Sequence, residues 1–353
     1  MKIIVLGAGI VGMASAWWLA RDGHDVTVVD REAEVGRGTS FANGAQLSYS
    51  YVAPMASRAV LASLPKYLLG RNSPVRFMPS ADPGQWRWIL RFLRACNADA
   101  AAINTTRLLA LSFLSRDALH EMMAVAPLRF HHRRNGKLVV QSSRQGMADA
   151  EAQLRLQATF GCEQEALGAA ECLALEPGLE SIADRLVGGI YTPSEEVGDC
   201  RMLCEELRRI LTPHVRFALG TDVRHLRVER SRVVGLETAS GAMDADLYVL
   251  AAGIGSPLLA RDAGLRLLVQ PIRGYSITAP IRNGNLAPTR SITDIARKTV
   301  FAPVGDTLRL AGFAEIGGRG ATIPPARIAA LVETLSTTFP GACALDDVRP
   351  WSG

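Results

Sequence analysis

Three glycines, Gly7, Gly9 and Gly12, stand at the spacing G-x-G-x-x-G, and Asp30 follows eighteen residues after the last of them. Residues of these types at this spacing can hold the pyrophosphate and ribose of an adenine dinucleotide. The first glycine permits a tight turn, and the second lets a pyrophosphate approach the main chain. The third lets a helix lie close to its neighbouring strands, with free N–H groups at its start facing the phosphates. An acid at this distance can accept the hydroxyls of the adenosine ribose. The flanking residues supply the elements that must position these groups. An apolar run, Ile3-Ile4-Val5-Leu6, leads into Gly7-Ala8-Gly9-Ile10-Val11-Gly12. A helical pattern follows over Met13–Arg21, beginning Met13-Ala14-Ser15-Ala16-Trp17, and a second apolar run, Val26–Val29, ends in Asp30 and Arg31. The order is strand, glycine turn, helix, strand, acid, and residues 3–17 with Asp30 and Arg31 are the candidate cofactor contacts.

The same stretch superficially resembles a secretory leader, with Lys2, an apolar core and Ala14-Ser15-Ala16 as a cleavage site. Glycines spaced through that core, and a strand with its acid following on schedule, argue against that reading. A reducing cytoplasm is then the expected compartment.

At 353 residues the chain can bury a large core in two interleaved domains. Its 48% hydrophobic and 21% charged content is that of a globular protein, and no run of eighteen apolar residues crosses a bilayer. A net charge of +5 is too mild to call for a nucleic-acid partner. The six cysteines are scattered without metal-ligand spacing, so no metal is expected and the thiols read as ordinary buried side chains.

After Asp30 the chain enters a polar, glycine-rich loop carrying Thr39, Ser40, Asn43, Gly44 and Gln46. A nicotinamide dehydrogenase would instead continue with a second crossover helix. The loop suits hydrogen bonding to a longer cofactor. Residues 58–94 carry Arg58, Lys66, Arg71, Arg76, Arg87, Arg91 and Arg94 against Asp82 alone. Within them Gln85–Cys96 reads as a helix with a wide apolar arc (Trp86, Trp88, Ile89, Leu90, Phe92, Leu93) and a narrow basic one (Arg87, Arg91, Arg94). Such a helix fits either an interfacial membrane anchor or an element buried between domains. Asn104–Val125 reads as a second amphipathic helix packing Leu108, Leu111, Leu119 and Met122 into the core. Lys137–Gln141 and Gly188–Tyr191 read as strands of a second sheet. His131 and His132 precede the first of these beside Arg133 and Arg134, as a solvated turn. Asp199–Leu211 reads as a helix capped by Asp199, and Val223–Val228 with Val233–Thr238 as a hairpin. Leu247–Ala251 reads as a buried strand that returns to the sheet begun at Ile3, bringing Gly253 to the pyrophosphate.

The start GAGIVGMASAWWLARDGHDVTVVDR, followed by TSFANGAQLSYSYVAP, resembles the FAD-dependent D-amino acid dehydrogenase (small subunit) family, within the D-amino acid oxidase, glycine oxidase and sarcosine oxidase group. Further similar stretches are Gly198-Asp199-Cys200, Ala251-Ala252-Gly253, Pro271-Ile272-Arg273-Gly274-Tyr275-Ser276 and Gly312-Phe313-Ala314-Glu315-Ile316. The resemblance spans Met1 to Gly353 and implies FAD as cofactor, a small D-amino acid as substrate and a quinone or respiratory-chain acceptor. It also implies peripheral contact with the inner face of the plasma membrane. The implied fold is α/β. A Rossmann-type FAD-binding domain (1–57, 145–186, 197–262) is interleaved with an α+β substrate domain (58–144, 187–196, 263–353) built on a mostly antiparallel sheet.

With no Ser/His/Asp or Cys/His arrangement in the sequence, the hard chemical step falls to the cofactor. The protein must fix the carboxylate of an amino acid and aim its α C–H bond at the flavin. A guanidinium grips a carboxylate with two parallel bonds. The resemblance runs Pro271–Tyr275 near the flavin, so Arg273 and Tyr275 are the expected catalytic contacts, and Tyr49 and Tyr51 line the cavity at second rank. The ending Arg349-Pro350-Trp351-Ser352-Gly353 resembles the start of a family segment that goes on to pack against the flavin ring. Weak FAD retention is therefore one expectation, and a catalytically incomplete flavin-binding fragment is an alternative function. A dehydrogenase or oxidase for glycine, sarcosine or hydroxyproline is the other. The loop at Thr39–Gln46 and the late return at Gly253 disfavour a nicotinamide dehydrogenase.

Overall fold

The computed structural model describes residues 1–57, 60–61, 74–317, 320 and 322–353. Arg58, Lys66 and Arg71 of the basic stretch lie outside the described residues. The chain divides into two units, each assembled from separated segments: 1–43, 128–130 and 199–271 form one, and 44–127, 131–198 and 272–353 the other.

The first unit is built on a four-stranded parallel sheet in the order Leu247–Leu250, Lys2–Leu6, Asp25–Asp30, Val215–Leu219. Ile3, Ile4, Val5 and Leu6 are each at most 2% exposed, which is why the second strand reads as an unbroken apolar run rather than an alternating one. The helix Ile10–Arg21 packs Gly12, Met13, Ala16 and Trp17 inward. Beside it lies the helix Cys200–Leu211, whose buried Leu203, Cys204, Leu207 and Leu211 share one face. Asp199 caps that helix, its Oδ1 accepting from the Met202 N–H at 2.9 Å. The expected hairpin is present as Val223–Glu229 paired antiparallel with Arg232–Thr238.

Two readings are corrected in this unit. Leu247–Leu250 pairs with Lys2–Leu6 as expected, but it is an edge strand, not a buried one, and Leu247 is 42% exposed. The strand Val215–Leu219 has no counterpart in the sequence reading. Its Arg216 interrupts the apolar run and bonds both oxygens of Asp25 at 2.9 and 3.0 Å.

Among the described residues the second unit carries a nine-stranded, mostly antiparallel sheet in which Ile272–Pro280, Thr307–Ile316 and Thr299–Val304 are consecutive neighbours. Leu138, Val140, Ile277, Ile292, Phe301, Leu308 and Leu310 point to one face. There they meet Leu179, Ile182, Leu331, Leu335 and Phe339 in a single core cluster. Each such side chain contributes about 1.5–3 kcal/mol on burial. Residues 145–186, expected with the nucleotide domain, belong to this unit, because Glu165–Gly168 pairs antiparallel with Gly188–Thr192 at the edge of the sheet.

Two consecutive helices are Pro83–Ala95 and Ala98–Val125, the second starting six residues earlier than expected because Asn97 caps it through Ala100 N–H. In the first the apolar arc is largely exposed, and in the second the buried face differs from expectation. Only Gln85 is buried in the first, while Trp86, Leu90 and Leu93 are 47%, 57% and 37% exposed. In the second, Thr105, Leu109 and Met122 are buried and Leu111 points outward. Among the described residues no helix is long and apolar enough to cross a membrane.

Candidate functional site

The glycine turn of the first unit is shaped by close approach. Gly7 has φ +113°, and a Cβ there would strike the carbonyl of Ala251 on the returning segment. A Cβ on Gly12 would strike the carbonyl oxygen of Gly7, so the helix can start only with glycine at this point. Gly9, the residue before the helix, has a different neighbourhood. A Cβ on it would meet only Ser40 Oγ, at 3.4 Å, leaving its outer side open. No side chain caps the helix at Gly9 and no acid sits in its first turn. Such an N-terminus attracts an anion.

Asp30 is held to the turn: its Oδ2 accepts from Ala8 N–H at 2.6 Å and its Oδ1 from Glu32 N–H at 2.8 Å. A carboxylate still has lone-pair capacity beyond those two bonds. Ser40 is buried and its Oγ accepts from Ile10 N–H at 3.1 Å, tying the polar loop to the first turn of the helix. The structure therefore gathers Gly7, Ala8, Gly9, Ile10, Gly12, Asp30 and Ser40 at one end of the parallel sheet, with Gly253 following the edge strand in a left-handed conformation (φ +54°). Ile3, Ile4, Val5, Leu6, Met13, Ala16 and Trp17 are buried, so their side chains serve the core. Ala14 and Ser15 are half-buried, Val11, Arg31 and Thr39 are exposed, and Asn43 ends the unit's first segment.

Gly44 and Gln46 belong to the second unit. The Gln46 side-chain amide donates to Ser291 Oγ at 2.5 Å, and residues Gln46–Leu47 pair antiparallel with Glu196–Val197. The segment that follows is fixed by two adjacent acids. Glu195 Oε1 accepts from the backbone N–H groups of Tyr49, Ser50 and Tyr51 at 2.8, 2.7 and 3.1 Å. Glu196 is bonded by Tyr49 OH at 2.9 Å, by Nε2 of both His120 and His132 at 2.8 Å, and by Arg134 Nε at 3.1 Å. Burial pushes the Glu196 carboxyl up, but the bonds from His132, Tyr49 and His120 outweigh it and hold the group below the usual range.

Lys137 is 3% exposed, donates to Ser48 Oγ at 2.8 Å and lies 4.2 Å from the centre of the Tyr51 ring. Its burial lowers the ammonium to about 8, against the opposing pull of Glu195. Tyr49 is buried with its hydroxyl committed to Glu196, and Tyr51 is 36% exposed.

His132 is thus not in a solvated turn, and the expectation of no metal-capable cluster is revised: His120, His132 and Glu196 offer three ligand atoms within 4.8 Å of one another. Their partners lie 64 and 76 residues apart in sequence, so no spacing motif marks them. Lys137, Glu195 and Glu196 were likewise invisible as site residues. A lysine opening a strand and two acids closing a turn look like surface groups until the sheet is assembled.

Arg273 and Tyr275 lie together, the guanidinium 5.1 Å from the ring centre, and the Tyr275 hydroxyl and Arg273 Nη2 are engaged within the protein. Tyr275 is 1% exposed, and its hydroxyl donates to Glu315 Oε2 at 2.7 Å. Arg273 donates to Thr322 O at 2.9 Å and Ser352 Oγ at 2.8 Å. The period of two along the strand turns Tyr275, Ile277 and Ala279 toward the core cluster. Tyr275 thus sits in a packing position with its hydroxyl bound to Glu315.

The sequence matches the family of FAD dependent oxidoreductases (DAO) over residues 2–353. It is 44% identical over 364 residues to D-amino acid dehydrogenase 2 of Ralstonia nicotianae, covering 100% of this chain and 86% of that protein. It is 40% identical over 355 residues to D-amino acid dehydrogenase of Paramagnetospirillum magneticum, covering 100% and 84%. The fold is similar to that of glycine oxidase from Geobacillus kaustophilus, with a TM-score of 0.75 at 17% identity over 100% of this chain and 82% of the other. The glycine turn that only unsubstituted Gly7 and Gly12 permit, the open side of Gly9 and the tethered carboxylate of Asp30 suit the nucleotide half of FAD. The chain belongs to the FAD-dependent oxidoreductase family, with FAD as its cofactor.

Proposed function

We propose that the protein oxidises D-amino acids of the D-alanine type to 2-oxo acids and ammonium and passes the electrons to a membrane quinone. The observation that carries this reading is the similarity along the whole of this chain, 44% and 40% identical, to two proteins named D-amino acid dehydrogenase. FAD, when bound, takes up the hydride from the substrate α-carbon. The residues that would hold the nucleotide are the first turn of Ile10–Arg21 for the pyrophosphate, Asp30 for the ribose, and Thr39, Ser40 and Asn43 for further polar contacts. Loss of that hydride and of one proton from nitrogen turns the substrate amine into an imine, and water converts the imine to the 2-oxo acid, releasing ammonium.

Purified protein assayed with D-alanine, L-alanine, glycine, sarcosine and hydroxyproline, each with a quinone-like dye and with oxygen alone, tests the proposal. Dye reduction with D-alanine and without peroxide is the expected result. Peroxide formation would reassign the protein as an oxidase, and preference for glycine or a secondary amine would move the substrate class. A flavin-free preparation inactive on every substrate would favour a flavin-binding fragment.

The exposed apolar residues Trp86, Leu90 and Leu93 support a membrane-facing role for Pro83–Ala95, since Arg87, Arg91 and Arg94 beside them are exposed as well. Apolar side chains with a basic border suit insertion among anionic headgroups.

A further inference from the structure

We propose that His120, His132 and Glu196 form a binding site for one divalent transition metal of the Zn²⁺ class. The three come from separate places: His120 from the helix Ala98–Val125, His132 from the segment before Lys137–Gln141, and Glu196 from the short strand Glu196–Val197. The two imidazole planes are inclined by 71° with ring centres 6.5 Å apart, and both Nε2 atoms converge on the two oxygens of one carboxylate. Two imidazoles and a carboxylate are the donor set of three-ligand zinc sites with open positions for water.

The surroundings favour an ion over a simple ion pair. Glu196 has 2% of its side chain exposed and His132 13%, while His120, at 26%, leaves a way in for a hydrated ion. His131 adopts φ +54°, a left-handed conformation uncommon for a residue with a Cβ, immediately before His132. Such strain is retained where it places a neighbouring group. Tyr49 OH, on Glu196 Oε2, supplies the outer hydrogen bond that orients a ligating carboxylate, and its ring meets His120 edge-on at 6.3 Å.

Metal entry replaces the two Nε2–H···O bonds by coordination. Each imidazole passes its Nε2 proton through water to Nδ1, or releases it to solvent if Nδ1 is already protonated, so loading the site needs no oxidant or reductant. Arg134, whose side chain is 63% exposed, is free to swing from Glu196 Oε1 into water. The bound ion would fasten Gln46–Leu47, through its pairing with Glu196–Val197, to the long helix.

The test uses the chelator-treated full chain with its flavin. Co²⁺ titration should give visible d–d bands that saturate at one ion per chain and are displaced by Zn²⁺. His120→Gln, His132→Gln and Glu196→Gln should each weaken binding by at least ~10-fold. X-ray absorption at the zinc edge of the unmutated protein should show two imidazoles and oxygen donors, which decides the matter even if a variant fails to fold. Binding below one ion per chain, unchanged affinity in folded variants, or a zinc shell containing sulfur or lacking imidazole would overturn the site and leave a hydrogen-bonded network. None of these results bears on amino acid oxidation.

Discussion

Tyr275 gives its hydroxyl to Glu315, and the other oxygen of that carboxylate takes two bonds from Arg327, at 2.9 and 3.2 Å. Burial raises the tyrosine to about 12, with the Glu315 bond acting in the same direction, so it remains a neutral donor at every working pH. Removing the hydroxyl in Tyr275→Phe leaves a buried carboxylate short of one partner and should cost about 1–3 kcal/mol of stability, read by denaturant unfolding. The KM for the amino acid should hold. A raised KM with unaltered stability would return Tyr275 to the substrate contacts.

Gly9 and Gly12 should respond differently to the same added methyl group. In Gly12→Ala the new Cβ runs into the Gly7 carbonyl, so the variant should lose soluble, folded protein. Gly9→Ala meets only Ser40 Oγ and keeps an ordinary backbone conformation (φ −74°, ψ 177°), so the apoprotein should melt as before. Its FAD affinity, followed by flavin fluorescence, should fall, because the methyl occupies the open side. Normal affinity in Gly9→Ala would place the pyrophosphate elsewhere.

Lys137 makes stability depend on alkaline pH. The unfolded chain keeps its proton up to about 10.5, whereas burial makes the folded protein release it near 8. Between those values the unfolded state binds more protons, so stability rises with pH across the window, by about 3 kcal/mol from this group in full. Below 8 the fold carries the whole cost of the buried ammonium. Unfolding curves from pH 7.5 to 10 should show this slope, and Lys137→Met should flatten it. A slope that persists in the variant would assign it to other groups.

Vesicles containing anionic lipid should co-sediment with the protein, and Arg87, Arg91 and Arg94 changed together to Glu should abolish this. Leu90→Glu should weaken it too, since Leu90 is 57% exposed on the same helix. Binding that survives both changes would move the membrane contact off Pro83–Ala95.

The nucleotide end of the fold was legible because its signals are local. Strand, turn, helix and acid lie within thirty residues, and each glycine answers to a collision or an open approach. Asp199 announced its helix in the same way, through a cap three residues from its partner. The second site was illegible for the opposite reason. Glu196 meets His120 from a helix and His132 from the segment before Lys137–Gln141, and no period or spacing connects them. Helix faces fell between these cases. The periodicity of Ala98–Val125 was real, but which side meets the core depends on the neighbouring elements, and Leu111 was assigned to the wrong one. Arg216 hid a strand because a charged residue at a sheet edge resembles a loop until Asp25 is seen opposite it.

Glu195 grips three successive backbone N–H groups rather than side chains. The course of residues 49–51 is therefore separated from the identity of what those residues display. Replacing the Tyr51 ring would take away its contact with Lys137 but not the backbone bond that sets the path, provided that the acid stays. Tyr49 does not share that freedom, because its hydroxyl is bound to Glu196. A segment fixed in shape through its backbone can change what it displays at Tyr51 without changing where it runs.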